Sequence, residues 1–316
     1  MRVIIIVFIL SIIQNSYSQI ESFDGLKSIN GTKLYLKILA QPYKVKNGKG
    51  EPLLVVHGGP GFSHTYFMPH LKSLSKWFTL ILYDQRGAGR SSLAHSDSMS
   101  LKFFVDDIEG IRKSLGIEKI LLLGHSWGAI PVTKYALDYP DRVKGIIFSS
   151  PNALSKEFDN MTREAQFLKA TSRDSTNRSI IIGSPDYKAG KADAYRRLML
   201  LSFQHSFADE SNLVKLNLVL RPDYLTASQK LFAGLGKDLA SYNYYGSVQR
   251  FRFPVLIQHG REDILPLQAS EKLLESIPNS RLTIYRNSGH FIFIEEPKKF
   301  TQEVISFSRM VNESLK

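Results

Sequence analysis

The pentapeptide Gly124-His125-Ser126-Trp127-Gly128 constrains the fold of this chain more than any other segment, because of what flanks it. The continuously apolar residues before it predict a short buried strand over residues 119–123, and the spacing after it predicts a helix over residues 129–139, ended by Pro140. A G-x-S-x-G sequence between a strand and a helix is typical of a nucleophile elbow, a sharp turn that lifts the serine hydroxyl out of the sheet. We therefore predict that Ser126 is a nucleophile. The alternative is a chance loop of small residues between two core elements.

The first 18 residues have the pattern of a secretory signal peptide. Arg2 supplies the positive charge, residues 3–13 the apolar core and Ser16-Tyr17-Ser18 the cleavage site, which would leave Gln19 as the N-terminus. The apolar stretch is shorter than the roughly 20 residues that span a bilayer, although an uncleaved anchor is the alternative. We expect export to a periplasm or to the medium, with no stable membrane insertion after the signal is removed.

Composition and charge narrow the kinds of molecule that this protein is expected to bind. The chain has 316 residues, no cysteine and a formal charge of +12. Without cysteine it can form no disulfide. The basic residues are scattered, with Lys44, Lys46 and Lys49 near one end and Lys298 and Lys299 near the other, and no basic helix suggests nucleic-acid binding. The expected partner is a small-molecule or short-peptide substrate.

Short apolar segments alternate with helical ones at both ends of the chain, beginning with a hairpin predicted by Asn30-Gly31. Strands are predicted over residues 25–30, 33–39, 53–56, 79–83, 119–123, 143–148, 254–257 and 282–285. This alternation predicts an α/β fold in which a mostly parallel central sheet has helices on both faces.

The alternation stops near residue 151 and resumes near residue 252. The segment between is helical in pattern and rich in aromatic residues. We assign residues 152–251 to a helical cap inserted over the carboxyl ends of the strands, and residues 19–151 and 252–316 to the core. The aromatic rings of the cap either shape an apolar pocket or pack its own interior.

A serine nucleophile needs a base and a group that orients the base. In nucleophile-elbow folds the chain order is serine, acid, histidine. Downstream of Ser126, Asp263 follows the strand that includes Ile257, and His290 lies in the loop after the next strand. Because parallel strands end at one edge of the sheet, we expect Asp263 to orient His290, which accepts the proton of Ser126. Glu262 is the competing acid, with a longer side chain and an earlier position.

The oxyanion hole needs two backbone N–H groups. The first is expected from Trp127, directly after the nucleophile. The second is expected from the glycine-rich loop after the strand at residues 53–56, with Gly59 preferred and Gly58 the alternative. That loop lacks the Gly-Lys-Ser/Thr ending of nucleotide-binding loops.

Three other histidines, His57, His125 and His259, adjoin glycines at predicted strand ends. No serine–acid order places them in the proton relay, so we expect hydrogen-bonded structural roles. No set of His, Asp and Glu residues has a metal-ligand spacing such as H-E-x-x-H, and we expect neither a metal nor a cofactor.

Three motifs, in this order, resemble those of the α/β-hydrolase superfamily. They are His57-Gly58-Gly59-Pro60-Gly61, Asp84-Gln85-Arg86-Gly87-Ala88-Gly89-Arg90-Ser91 and the pentapeptide around Ser126. Within the superfamily, the chain resembles the proline iminopeptidase branch over almost its whole length after the signal. The resemblance is more specific for the fold than for the reaction, and it implies an α/β-hydrolase core with an inserted helical cap.

The resemblance also implies roles for five residues: Ser126, Asp263 and His290 as a catalytic triad, and Gly59 and Trp127 as oxyanion donors. It implies that residues 84–91 form a structural loop in which Arg86 is paired internally.

Iminopeptidases of that branch remove an N-terminal residue, often proline, and hold the free amine with carboxylates of the cap. The cap of this chain offers Glu157, Glu164, Asp209 and Glu210. We expect Asp209 and Glu210 to bind substrate; a solvent-exposed helix-capping pair is the alternative. Both tryptophans, Trp77 and Trp127, lie outside the cap, so the Trp and Glu cluster typical of those caps has no clear counterpart.

The predicted function is a secreted serine hydrolase that works through an acyl-enzyme, most specifically an aminopeptidase. An esterase or lactonase with the same triad is the alternative. Haloalkane dehalogenases and epoxide hydrolases of the superfamily carry an aspartate at the position of Ser126. A non-catalytic ligand sensor is a third reading, which an intact Ser, Asp and His set disfavours.

Overall fold

The computed structural model describes residues 20–40 and 50–313, so the predicted signal peptide lies outside the described residues. The described strands form one eight-stranded sheet in the order β1-β2-β4-β3-β5-β6-β7-β8. The strands are β1 (Phe23–Ile29), β2 (Thr32–Leu39), β3 (Glu51–Val56), β4 (Phe78–Tyr83), β5 (Ile120–Ser126), β6 (Val143–Pro151), β7 (Val255–Gly260) and β8 (Ser280–Tyr285). Strands β1 and β2 are antiparallel to their neighbours, and all other pairs are parallel. The predicted mostly parallel α/β sheet is confirmed.

The β1–β2 hairpin turns at Asn30 and Gly31, where φ is 48° and 74°. Positive φ at both central residues is the geometry that matches the twist of two antiparallel strands, and Asn-Gly adopts it at low cost. The Asn30-Gly31 signal therefore predicted this turn correctly.

Helices cover both faces of the sheet. The core helices are α1 (Leu101–Ser114), α2 (Ala129–Asp138), α9 (Leu267–Ser276), α10 (Ile292–Glu295) and α11 (Pro297–Glu313). One apolar cluster packs α1, α2 and α9 on one face, and a second packs α10 and α11 on the other. Each fully buried aliphatic or aromatic side chain in them contributes roughly 1.5–3 kcal/mol of transfer free energy.

Six helices lie between β6 and β7, in the segment assigned to the cap. They are α3 (Asp159–Lys169), α4 (Ser172–Gly183), α5 (Pro185–Lys188), α6 (Ala192–Phe203), α7 (Tyr224–Ala240) and α8 (Tyr245–Val248). Leu231 of α7 belongs to the first apolar cluster and Leu218 to the second, so this segment is packed on the core. Among the helices of residues 20–40 and 50–313, none has the length and apolar character to span a membrane.

Candidate active site

Ser126 ends β5 with φ at 54°, a left-handed conformation that is uncommon for a residue other than glycine. The turn holds this conformation by hydrogen bonds from Gly128 N to His125 O (2.8 Å) and from Asn152 N to Ser126 O (3.1 Å). A Cβ on Gly128 would lie 2.2 Å from Val56 O, which explains why the pentapeptide ends in glycine. The strained strand-to-helix turn that the pentapeptide predicts is therefore present.

Asp263 and His290 lie together in the loops that follow β7 and β8. His290 Nδ1 donates to Asp263 Oδ2 at 2.9 Å, and the Asp263 side chain is fully buried. The two loops touch backbone to backbone, since a Cβ on Gly260 would lie 2.0 Å from Gly289 O. Parallel strands ending side by side produce this contact, as the chain order suggested.

The charge of Asp263 follows from its surroundings. Burial alone would raise the pKa of this carboxyl, but the attraction of the His290 imidazole and their hydrogen bond outweigh burial and hold the pKa below its ordinary value. Leu265 N donates to the same carboxylate at 2.9 Å. An ionised Asp263 requires the proton of neutral His290 on Nδ1, which leaves Nε2 as the atom that can accept a proton.

The Ser126 hydroxyl is turned towards a residue that sequence reasoning did not select. Ser126 Oγ donates to Asn152 Oδ1 at 3.3 Å, and the hydrogen bonds of the described residues include none from Ser126 Oγ to His290. The predicted base, His290, is nevertheless near, because its ring lies 4.8 Å from that of His125, the residue before Ser126. Catalytic hydrogen bonds often form only with substrate bound. Asn152 follows β6, the strand beside the nucleophile, and that position was its only signal.

The backbone N–H groups of the two expected oxyanion donors, Gly59 and Trp127, have no hydrogen-bond partner among the described residues. Gly58 N, the alternative donor, is already bound to the Tyr66 hydroxyl at 2.5 Å. Gly59 has φ at 126°, which glycine adopts without strain. These contacts favour Gly59 over Gly58 as the second donor, and the role itself stays a prediction.

Gln85 connects the two loops that carry these N–H groups. Its Nε2 donates to His57 O at 2.6 Å, and its Oε1 accepts from Trp127 Nε1 at 3.1 Å. Gln85 and Trp127 are almost fully buried. The next residue, Arg86, forms the predicted internal pair, with Asp107. Sequence reasoning treated residues 84–91 only as a structural loop and missed the bridging role of Gln85.

Replacing Gln85 with methionine is expected to lower kcat by roughly 10- to 100-fold, because small displacements of catalytic groups are costly. The change leaves Trp127 Nε1 and His57 O without this partner. Gln258→Met is the matched control, since Gln258 is equally buried but its amide donates to Tyr285 OH. Steady-state rates of both variants test the prediction, and an equal loss of kcat in both would contradict it.

Three histidines are buried, and burial disfavours their charged form. Burial lowers the pKa of His57 to about 4 and lowers the pKa values of His125 and His259 below the ordinary value. His57 and His259 also have polar partners on both ring nitrogens. They are the hydrogen-bonded structural histidines that the sequence predicts.

This burial predicts acid destabilisation. Histidines of the unfolded chain bind protons below about pH 6.5, whereas the lowered pKa values in the folded chain disfavour protonation of these three, so the free energy of unfolding falls as the pH falls. His57 alone contributes a loss of about 2 kcal/mol between about pH 7.5 and pH 5. Guanidinium titrations at about pH 7.5 and pH 5 measure the effect. A free energy of unfolding that is equal or higher at the lower pH would contradict it.

The two acidic residues expected to bind substrate have partners within the chain. Glu210 Oε1 lies 2.7 Å from His205 Nδ1, and His205 Nε2 lies 2.8 Å from Asp174 Oδ2. Asp209 Oδ1 accepts from Ser211 N at 2.9 Å, capping a short 3-10 helix. Both acids are exposed, which is the arrangement of the capping alternative. Their contact with substrate stays a prediction.

Glu295 ties the loop of these acids to the loop of His290, the predicted base, and sequence reasoning missed it. One carboxylate oxygen accepts from Ala208 N (2.9 Å) and Asp209 N (3.0 Å), and the other accepts from Gly289 N (2.7 Å). Burial raises the pKa of Glu295, against the effect of these bonds. The loop is further held by the bond from His290 N to Ser206 O, 2.6 Å.

Aromatic rings of the cap segment pack beside His290. The ring of Phe203 lies 5.4 Å from that of Phe291 and 5.8 Å from that of Phe62, while Phe207 stacks on Phe291 at 4.8 Å. Phe291 itself lies 5.1 Å from His290. These two cap rings therefore pack against the core, next to the predicted base.

Comparisons with known proteins agree with this geometry. The family model described as alpha/beta hydrolase fold matches residues 51–297. A proline iminopeptidase of Lactobacillus delbrueckii subsp. bulgaricus is 30% identical over 268 residues, covering 81% of this chain and 88% of that protein. One from Clostridioides difficile (strain 630) is 26% identical over 288 residues, covering 88% and 94%.

Solved structures share the fold. The proline iminopeptidase of Mycobacterium smegmatis superposes with a TM-score of 0.70 at 20% identity, covering 93% of this chain and all (100%) of that one. An esterase from Exiguobacterium antarcticum superposes with a TM-score of 0.63 at 21% identity, covering 91% and 100%. At such identities the likeness concerns the fold alone.

Proposed function

Because the chain belongs to the α/β-hydrolase fold family, in its proline iminopeptidase-like branch, we propose that this hydrolase is a serine aminopeptidase that releases an N-terminal residue, by preference proline, from short peptides. We further propose that residues 1–18 direct its export. The curated relatives named proline iminopeptidase support the reaction, and the signal-like pattern of the first residues supports the location.

The proposed reaction uses the Ser126, His290 and Asp263 side chains. Ser126 Oγ attacks the carbonyl carbon of the N-terminal residue while His290 Nε2 takes the hydroxyl proton. The carbonyl oxygen becomes an oxyanion that accepts hydrogen bonds from Gly59 N and Trp127 N. His290 then gives its proton to the leaving amine, which departs and leaves an acyl-enzyme.

Water completes the cycle. His290 Nε2 takes a proton from a water molecule that attacks the acyl carbon, and the second tetrahedral intermediate collapses by returning the proton to Ser126 Oγ. Asp263 stays ionised and stabilises the imidazolium in both halves. The single observation that carries this proposal is the buried Asp263–His290 pair, 2.9 Å apart, which leaves Nε2 available as base.

Ester hydrolysis is the second candidate, and one observation favours it. Glu210, an expected amine ligand, already has a partner, since its Oε1 lies 2.7 Å from His205 Nδ1, and the rings beside His290 form an apolar wall. Such a site suits an uncharged acyl group at least as well as a free amine. Cap chemistry alone separates the two candidates, since both use the same triad.

The test compares three chromogenic substrates with the chain from Gln19 onwards: a prolyl arylamide, its N-acetyl form and a short-chain aryl ester. We expect turnover of the free-amine arylamide and a loss of about 100-fold or more on acetylation, because a recognised ammonium group is then missing. Glu210→Gln should raise KM for the arylamide and leave ester hydrolysis unchanged. Turnover of the ester alone would overturn the aminopeptidase proposal in favour of the esterase.

A further inference from the structure

Beyond the proposed triad, a chain of buried hydrogen bonds joins three loops of the site. Gly58 N donates to the Tyr66 hydroxyl at 2.5 Å, and this hydroxyl lies 2.9 Å from His125 Nδ1. His125 Nε2 lies 3.2 Å from the carbonyl oxygen of His290. Tyr66 and His125 are each 1% exposed. The chain thus runs from the glycine-rich loop through the nucleophile elbow to the loop of the base.

The groups at the two ends of this chain of hydrogen bonds determine which atom donates in each bond. The His290 carbonyl can only accept, so His125 Nε2 carries a hydrogen. Neutral His125 then has an acceptor at Nδ1, to which the Tyr66 hydroxyl donates, while the Tyr66 oxygen accepts from Gly58 N–H. Burial lowers the pKa of His125 well below its ordinary value, in agreement with the neutral ring. Each group therefore makes the bond that its chemistry allows.

We propose that Tyr66 and His125 are positioning residues for the hydrolytic reaction: their hydrogen bonds set the distance between the His290 loop, Ser126 and the glycine-rich loop that carries Gly59. The inference rests on the proposed serine-hydrolase chemistry and applies equally to an amide or an ester substrate. It assigns a role to His125, the residue of the pentapeptide that directly precedes Ser126.

Packing at Gly58 couples the chain to the nucleophile. A Cβ on Gly58 would lie 2.9 Å from Ser126 Cβ, 3.2 Å from the Tyr66 hydroxyl oxygen and 3.3 Å from His125 Nδ1. The space beside the Gly58 Cα is therefore filled by atoms of Ser126, Tyr66 and His125. Displacement of the Tyr66 hydroxyl would shift Gly58, and with it the backbone that leads into Gly59.

At its other end the chain of hydrogen bonds fixes the backbone of His290, the proposed base. The His290 N–H donates to Ser206 O at 2.6 Å, and its carbonyl accepts from His125. With the side chain held by Asp263, the carbonyl bond is what ties His290 to the elbow of Ser126. Loss of that bond would free the base to move relative to the nucleophile.

The structure offers a one-atom test. Tyr66→Phe removes only the hydroxyl, because the ring is held by Phe67 at 4.3 Å and by Phe293 at 6.2 Å. Tyr83→Phe is the matched control: Tyr83 is equally buried, and among the described residues its hydroxyl has no hydrogen-bond partner. A second pair is His125→Gln and His125→Asn, of which only glutamine can place an N–H near the His290 carbonyl.

The readout is the rate at which diisopropyl fluorophosphate phosphorylates Ser126, with loss of fluoride, together with kcat and KM on the better substrate. We expect Tyr66→Phe to lower the labelling rate and kcat by about 10- to 100-fold with KM changed less than about threefold. Tyr83→Phe should match the wild type, and His125→Gln should retain several times the rate of His125→Asn. Thermal unfolding of each variant reports whether the fold is kept.

The outcomes separate this inference from the proposed function. A wild-type chain that is not labelled at Ser126 would overturn the proposed function and this inference with it. Labelling of the wild type with equal rates in Tyr66→Phe would overturn the inference alone. So would a fall in rate that Tyr83→Phe shares, because such a fall would reflect general loss of packing.

Discussion

Replacing Ser126 with alanine is expected to lower kcat by about 10^4- to 10^6-fold, the range found when a serine nucleophile is removed from a triad. The physical reason is that no other group at the elbow can form the acyl-enzyme, while oxyanion donors and substrate binding leave a small residual rate. Initial rates on the better of the chromogenic substrates measure the loss. Circular dichroism and thermal unfolding of the variant should match the wild type, because the hydroxyl has one weak partner, Asn152.

Ser149→Ala is the control for this prediction. Ser149 is a fully buried serine of the neighbouring strand, and its hydroxyl has no hydrogen-bond partner among the described residues. Its variant should keep the wild-type rate. If Ser126→Ala kept substantial turnover, Ser126 would not be the nucleophile. If Ser126→Ala still responded to a ligand as the wild type does, the result would favour the sensor interpretation.

Replacing Asp263 with asparagine is expected to lower kcat by about 10^4-fold with little change in KM. The carboxylate accepts the Nδ1 hydrogen of His290 and so keeps Nε2 free to act as base. An amide can instead donate to Nδ1, which favours the tautomer with its proton on Nε2. The imidazolium formed during the reaction also loses its buried counter-charge.

The neighbouring acid supplies the control for Asp263. Glu262 was the competing acid on sequence grounds, and in the structure it is exposed, while the side chain of Asp263 is fully buried against His290. Glu262→Gln should change kcat by less than about twofold, as for a surface charge. The assignment would be wrong if Glu262→Gln lost activity and Asp263→Asn kept it.

The features that sequence predicted well have short-range signals. The Asn30-Gly31 turn, the strand and helix around Ser126, and the order of strands that ends in Asp263 and His290 each follow from residues close together in the chain. The physics behind them is local: backbone conformation at the turns and apolar continuity in buried strands. These signals were enough to predict the fold and the contact of Asp263 with His290; the triad itself stays a prediction.

The features that sequence missed depend on distant partners. Tyr66 meets His125 across 59 positions, Gln85 meets Trp127 across 42, and Glu295 reaches Ala208 across 87. A single polar side chain carries no periodicity that marks such a partner. Each became recognisable only when the folded chain showed a buried polar group with its hydrogen bonds satisfied.

The cap segment also combines a feature that the sequence predicted with contacts that it did not. Helical pattern and aromatic content predicted a helical segment, but nothing local indicated that His205 would lie between Asp174 and Glu210. The contact with His205 limits how free Glu210 is to meet a substrate amine. The substrate panel with Glu210→Gln therefore addresses the part of the site that the sequence defined least.

Covalent labelling tests the central claim, an acyl-enzyme on Ser126, most directly. Diisopropyl fluorophosphate would be added to the chain from Gln19 onwards, followed by trypsin digestion and mass spectrometry. The peptide of residues 120–134 contains Ser126 as its only serine. We predict one diisopropylphosphoryl group per chain on this peptide, with turnover lost in proportion to labelling. A label on another residue, or full turnover by labelled protein, would contradict the mechanism.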